Sequence, residues 1–450
     1  MSYFDPLDYG AKADGENVDT VACQAAIDAA YANGGGTIIF RSGKQVLAGS
    51  LILKDNVWIY MEPGSTLKCS GNWEDITERF DEGWVNTGCP GSGKFISTKE
   101  GTVNVGITGS GTIDGSGLLY MKSSEFALDS YDPYRPFLLF LVGVKGVTIR
   151  DVTLKDSAFW NLRVSACEDV ILHGVRIRGD LRIKNCDGID IDACKRVRIS
   201  DCDVSCPDDA ISIKACREFQ SYGACEDIVI TNCTLESRSS AIVVGVDAMQ
   251  PIRNVTCTNC VVRNSHRGLS VNLGEGADFE NFLFSDMIVE TRVYKNWWWG
   301  AGEPIYVSVA PWVKDVIGAC RNIRFRNILC RSECGAFLHA EKLGLASDIV
   351  LENVKLDLSV WAGEVEPRYD YRPTYEGDYA GMVDGPKEGI AGIHLENIKG
   401  VVIKGCEVRW STNPDSRYSN AIWARGCEDV KIVDFEGQAA KAGIAAIDMM

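Results

Sequence analysis

The chain of 450 residues is short of several things, and each shortage excludes a class of protein. Proline is scarce at 13 residues, and the 45 glycines come without a G-X-Y repeat or a low-complexity tract. A collagen-like or wholly disordered chain is thereby excluded, and the glycines are left to punctuate turns. No long apolar run is present. The longest extends from Phe137 to Val144, far below the roughly 20 residues that cross a bilayer, so no membrane partner is expected. Basic residues are in deficit, with 46 Lys and Arg against 62 Asp and Glu and a formal charge of −16. That sign argues against nucleic acid or an anionic membrane surface as a partner. The opening MSYFDPLDYG has no basic segment, apolar segment or small-residue cleavage site, so the expectation is a cytoplasmic protein without a signal peptide.

What is present fits a soluble globular chain, with 46% apolar and 24% charged residues. There are 18 cysteines, and a reducing cytosol would keep them as thiols. Cys202-x3-Cys206 and Cys257-x2-Cys260 have metal-like spacings, but neither has a second pair at zinc-ribbon distance. They read as buried thiols, and no metal or cofactor is expected.

An eight-residue phrase recurs, apolar-x-apolar-x-(Asn/Asp/Gly)-x-x-apolar. It begins at Val147, Val170, Val197, Ile228, Val255, Phe282, Ile323, Ile349, Val401 and Val430. The early spacings are 23, 27, 31, 27 and 27 residues, which is the period of a solenoid. Alternation on either side of the fifth position predicts two short strands. The fifth residue is Asp151, Gly174, Asp201, Asn232, Asn259, Asp286, Asn327, Asn353, Gly405 or Asp434. These types best tolerate a left-handed backbone, so each marks a sharp bend. Cys202, Cys233, Cys260 and Cys406 all follow the bend, which predicts an internal stack of small side chains. A third strand follows each phrase, as in NLRVS (Asn161), GIDID (Gly188), AISIK (Ala210), AIVVG (Ala241), GLSVN (Gly268), PIYVS (Pro304), AFLHA (Ala336) and AIWAR (Ala421).

Three strands per coil make an all-β chain, a single-stranded parallel β-helix. Nothing resembles a linker, so 1–450 reads as a single domain. Its open end needs a cover, and a capping helix is expected over 18–34. Asp19 would be its N-cap, Val18 its hydrophobic staple and Gly34-Gly35-Gly36 its stop. The stretch 364–386 breaks the repeat and reads as an insertion loop.

The residue leading into each third strand forms a column: Trp160, Asp187, Asp209, Ser240, Arg267, Glu303, Gly335. Coils stack at about 4.8 Å. Asp187 and Asp208-Asp209, 21 and 22 residues apart, are then spatial neighbours beside Lys214. Crowded carboxylates repel, which raises at least one pKa and keeps a proton available. A protonated acid beside an ionised base is the equipment of glycoside hydrolysis, and inverting enzymes separate the two by about 6.5–9.5 Å. Stacking plus side-chain divergence is expected to supply that gap. Each motif alone is also an ordinary turn, and only their superposition by the repeat points to chemistry.

At this point the chain resembles glycoside hydrolase family 28, the polygalacturonase family. The likeness rests on DYGAKADGENVDT, GSLILKDNVWIYMEPGSTL, GTIDGSG, RPFLLF at Arg135 and SAFWNLRV at Ser157. Its specific part is Asn185-Cys186-Asp187-Gly188 with Asp208-Asp209, similar to the family's Asn-Thr-Asp-Gly and Gly-Asp-Asp. The resemblance implies a right-handed β-helix and inverting hydrolysis. It casts Asp208 as general acid, Asp187 and Asp209 as holders of the water, and Asn185 as orienting group. Two departures stand out. The family's Gly-His-Gly is Ser239-Ser240-Ala241 here, and its Arg-x-Lys is Ser270-Val271-Asn272. Ser240 sits at the place of the lost His, His266 is a stand-in for it, and Arg267 could replace the lost cations or pair with Glu303. His339 and His394 read as structural members of strands.

The run Trp297-Trp298-Trp299 cannot face one core, so at least one indole is expected over the groove, against a sugar ring. Glu303, roughly 14 Å along the column from Asp209 at the strand spacing, would suit sugar hydroxyls. The expected partner is an oligosaccharide, trimmed from one end, since a polymer would not reach the cytoplasm. Two other readings stay open: a β-helix lyase with Lys214 or Arg267 as base, and a glycan-binding β-helix without catalysis.

Overall fold

A computed structural model describes residues 2–80, 92–121, 134–294, 300–313, 315–362, 369–370, 382–383 and 389–450. The chain divides into two compact units. The first comprises Met1–Asp208 and Glu226–Val229, the second Asp209–Cys225 and Ile230–Met450.

In the first unit, strands Lys145–Arg150, Glu168–His173 and Lys195–Ser200 stack in parallel. Val147 lies opposite Val170, and Val170 opposite Val197. This is the register that the repeated phrase predicts. Beyond the bend, Leu154, Ile177 and Val204 line up in the same way. The third strands Pro136–Val142, Leu162–Ser165 and Ile189–Asp192 also pair in parallel, and their Leu139, Leu162 and Ile189 are buried. Apolar residues of all three strands thus meet inside each coil, and this is where the core sits.

All ten bend residues have φ between 51° and 63°. The Asn, Asp and Gly at these positions are there because a left-handed residue with a Cβ is otherwise strained. Helix α1 (Thr20–Ala32) buries Ala22, Cys23, Ala26, Ile27 and Ala30, and the chain leaves it through Gly34 and Gly35, both with positive φ. Its start differs from expectation. Asp19 occupies the N-cap position but makes no capping bond. Its carboxylate accepts from the Lys12 and Ala13 N–H groups instead, at 2.8 Å each, and Val18 is half exposed, so no staple forms. The preceding loop competes for the cap and holds it.

In the second unit the bend-forming strands carry one continuous line: Val255, Phe282, Ile323, Ile349, Val401 and Val430, each opposite the next. Asparagines ladder along the bends. Asn259 Nδ2 donates to Asn232 Oδ1 at 2.8 Å, Asn327 to Asp286 at 2.9 Å and Asn353 to Asn327 at 2.9 Å. The third strands run from Ile211–Ala215 through Ser240–Ala248, Arg267–Leu273, Ile305–Val309 and Ala336–Ala340 to Ile422–Arg425 and Ile447–Met449. A further strand, Ile393–Glu396, lies between Ala336–Ala340 and Ile422–Arg425. The sequence reading placed His394 on a strand but did not list this segment among the third strands, because the 364–386 stretch breaks the period just before it. His339 and His394 are strand residues, as expected, and His394 stacks between Phe337 and Trp423 with centroids 4.7 and 4.4 Å apart.

Of the 364–386 insertion, Tyr369–Asp370 and Met382–Val383 form a two-stranded antiparallel pair, and the rest lies outside the described residues. The described cysteines are thiols, all buried except the half-buried Cys427. Burial pushes Cys320 and Cys330 well above the ordinary thiol range, so they are inert fillers. Among the described residues no helix is long and apolar enough to cross a membrane.

Candidate active site

The carboxylate motif of the first unit lies on the turn that enters strand Ile189–Asp192. Asn185 adopts a left-handed backbone (φ 56°), which aims its N–H at Asp208 Oδ2, 3.1 Å away. Its side-chain oxygen accepts from Arg135 Nη2 at 3.3 Å. Arg135 is 1% exposed. It also donates to the carbonyls of Lys184 (2.8 Å) and Ala158 (3.4 Å) and lies 4.6 Å over the Phe159 ring. A planar fork of donors suits this task, since it ties two carbonyls and an amide oxygen in one plane. The backbone of Asp187 is fixed as well, its carbonyl accepting from both the N–H and the Nδ2 of Asn161 at 2.9 Å. One oxygen of Asp187 and one of Asp208 lie within 4.8 Å of each other, and both residues are buried. These oxygens stand nearer to each other than the expected separation of about 6.5–9.5 Å between whole carboxyl groups. The Asn185 N–H is the physical reason, since it draws the Asp208 carboxylate inward.

Asp209 follows Asp208 directly and belongs to the second unit. Its Oδ1 accepts from the Ser240 N–H at 3.0 Å, so Ser240 meets Asp209 through its backbone. Lys214 lies 3.7 Å from Asp247, both almost wholly buried. Ser240 stands opposite Arg267, as the column predicts. Arg267 does not reach out for substrate. Its Nε lies 3.3 Å from Glu303 Oε2, and its guanidinium lies 3.7 Å over the Tyr306 ring. Glu303 also accepts from the Ala301 N–H at 2.9 Å and is fully buried, so it holds Arg267 rather than sugar hydroxyls. Gly300 makes the pair possible, for a Cβ there would come within 2.6 Å of Arg267 Nε and 2.8 Å of Glu303 Oε2.

His266 is buried beside this pair. Burial, aided by the Arg267 and Arg238 charges, pushes it down to about 4, so it is neutral at physiological pH. Trp298 and Trp299 lie outside the described residues. Sequence reasoning missed Arg135 as a site residue, although one signal marked it: a cation heading an otherwise apolar strand, PFLLFLV. It also missed the buried pair Arg163–Asp192, at 2.6 Å. Lys214 and Arg267 are each set against a carboxylate, Asp247 and Glu303.

Residues 85–288 match the family model of glycosyl hydrolases family 28. The Asn185–Gly188 and Asp208-Asp209 motifs fall inside that span. The Vitis vinifera "Probable polygalacturonase" is 27% identical over 310 residues, 65% of this chain and 62% of that protein. The chain thus spans less than two thirds of that relative's length. Among solved structures, the hyperthermoactive exopolygalacturonase of Thermotoga maritima aligns with a TM-score of 0.66 at 21% identity, over 80% of this chain and 87% of its own. The family 28 exopolygalacturonase of Yersinia enterocolitica gives 0.69 at 15% identity, over 96% and 78%. At these identities the likeness is one of fold, and that fold is the right-handed parallel β-helix.

Proposed function

We propose that this chain is a polygalacturonase-like glycoside hydrolase. The observation that carries the reading is the buried Asp187–Asp208 pair, held within 4.8 Å by a turn whose own backbone N–H grips Asp208. Two carboxylates this close hold one shared proton more favourably than two charges. Asp208 donates that proton to the leaving glycosidic oxygen as general acid. Asp187 holds the attacking water and takes the proton that it loses on attack, and the family resemblance casts Asp209, whose Oδ1 accepts from the Ser240 N–H, in the same role. Asn185 and Arg135 position Asp208 without touching the sugar. No metal or organic cofactor enters these steps.

Direct attack by that water inverts the anomeric centre, the outcome that the family resemblance implies. The short Asp187–Asp208 separation favours a second reading, since retaining enzymes keep their carboxyl groups about 5–5.5 Å apart. The substrate we propose is a pectin-derived or other plant-glycan oligosaccharide, cut from one end by an enzyme working in the cytoplasm. The polygalacturonase and exopolygalacturonase names of the Vitis, Thermotoga and Yersinia proteins support galacturonan as the first substrate to try. A panel of defined oligosaccharides, followed by NMR of the first anomer released, tests all of this. Inverted monosaccharide released from one end is expected. Retained anomer would overturn the inverting mechanism, internal cuts the exo mode, and tight binding with no cleavage of any glycan the hydrolase itself.

A further inference from the structure

A second charged cluster sits in the second unit on the turns that carry Ser240 and Arg267. Tyr294 donates its hydroxyl to the Asn264 carbonyl at 2.6 Å, which fixes its ring. The Arg238 guanidinium lies 3.9 Å from the ring centroid and that of Arg292 5.0 Å from it. Two like charges are thus gathered on one aromatic ring. Neither has a carboxylate partner among the described residues, and the Nε donors of both are buried without an acceptor. The neighbouring acids are committed elsewhere. Glu236 faces Arg263 at 3.6 Å, Glu290 faces Arg331 at 3.2 Å, Glu303 faces Arg267, and Glu333 accepts from the Val293 N–H at 2.6 Å.

Stacking on a ring uses the face of a guanidinium and leaves its in-plane N–H donors pointing outward. Buried donors with no acceptor raise the free energy of the empty site. In a chain with 62 acidic against 46 basic residues, two adjacent arginines without an acidic partner among the described residues stand out. The place matters too. Arg238 is two residues from Ser240, whose N–H binds Asp209, so its Cα is within about 8 Å of that contact by chain length alone. The backbone at Arg238 thus lies near a carboxylate of the proposed chemistry.

From this geometry we infer that Arg238 and Arg292 form an anion clamp for the carboxylate of a uronic acid residue in the bound oligosaccharide. The clamp rests on the hydrolase reading for its sugar ligand. It takes over the charge recognition that Ser270 and Asn272 on the strand do not offer and that Arg267, tied to Glu303, is not placed to give. Bidentate N–H···O bonds from one or both guanidiniums would meet the carboxylate oxygens.

Calorimetric titration of the full chain tests the inference, with trigalacturonate, the neutral galactose trisaccharide and inorganic sulfate as separate probes. The same titrations follow on Arg238→Gln, Arg292→Gln and the double variant, with thermal midpoints measured to show that each is folded. The parent is expected to bind trigalacturonate at least tenfold more tightly than the neutral trisaccharide. The double variant is expected to bind the two alike, and each single variant to fall between. A parent that does not discriminate, or discrimination that survives in folded variants, overturns the clamp. Sulfate competing as well as trigalacturonate overturns its assignment to a sugar acid. Failure of the hydrolase reading looks different: no glycan is cleaved, while the arginine-dependent preference for the uronate remains.

Discussion

The two units put opposite electrostatics on the same turn of the coil. In the first, Asp187 leads into its strand with Asp208 beside it, two carboxyl groups of which the Asn185 N–H holds one. In the second, Arg267 and Glu303 lead into their strands as an opposite-charge pair, with Tyr306 beneath the guanidinium. Both pairs are buried. In the buried ion pair each charge offsets the other. Two buried carboxyl groups side by side disfavour double ionisation, so this is the position suited to proton transfer.

The largest expected effect breaks the first pair. Asp208→Asn removes the transferable proton and should lower kcat by about a thousandfold, within the usual range for losing a general acid. The same change relieves repulsion, so the thermal midpoint should hold or rise. Near-normal turnover in a folded variant would falsify the assignment of Asp208. Breaking the second pair should do the reverse. Glu303→Ala strands a buried guanidinium and should cost about 3–5 kcal/mol, read by denaturant unfolding. The double change Arg267→Met with Glu303→Leu should recover most of that loss, because neither charge is then left alone. If Glu303→Ala is neutral, the contrast between the units is wrong.

How much of this could be read from the chain alone depends on periodicity. The phrase from Val147 to Val430 carried the register, because each unit repeats one inward pattern and one left-handed bend, and all ten bends fall where Asn, Asp or Gly stands. The placing of Asp187 near Asp208 followed from that period. Their convergence did not, because it depends on one backbone N–H at Asn185, whose left-handed φ no pattern announces. Arg135, Arg238 and Arg292 were missed for a related reason: they act from a strand start and from turns, outside the periodic positions. The Asp19 cap was misjudged because a loop folded back from Lys12 and Ala13 wins its carboxylate. Ile393–Glu396 was missing from the list of third strands because the spacing breaks before it, although His394 was expected on a strand.

His266 sharpens the contrast from within the second unit. Burial, then Arg267 and Arg238, hold it near 4 in the folded chain, against 6.5 as its ordinary value. As pH falls through that ordinary value, the unfolded chain takes up a proton that the folded chain refuses, so stability is lost toward acid until the folded group titrates as well. Above the ordinary value both states are neutral and the residue adds no slope. Between pH 7 and pH 5 this single group should cost about 2 kcal/mol. His266→Gln should remove that part of the loss, seen as a smaller drop in unfolding free energy than the parent shows over the same interval. Equal drops in both proteins would mean that the Arg267–Glu303 pair does not exclude a further charge from its surroundings.

The smallest expected effect concerns the bends, where the units also differ. The first unit uses Asp151, Gly174 and Asp201, while the second runs an amide ladder in which Asn327 donates to Asp286 and accepts from Asn353. Asn327 has φ 53° and an exposed side chain, so two small terms act there. Asn327→Gly keeps the left-handed backbone and loses only the ladder, and should cost about 0.5–1 kcal/mol, the net worth of exposed hydrogen bonds. Asn327→Ala loses the ladder and adds left-handed strain, for about 1–2 kcal/mol in all. The gap between the two variants measures the backbone term alone. If glycine costs as much as alanine, the asparagines are there for the ladder, and the coils of the second unit are tied by side chains that the first unit's Asp151 and Gly174 do without.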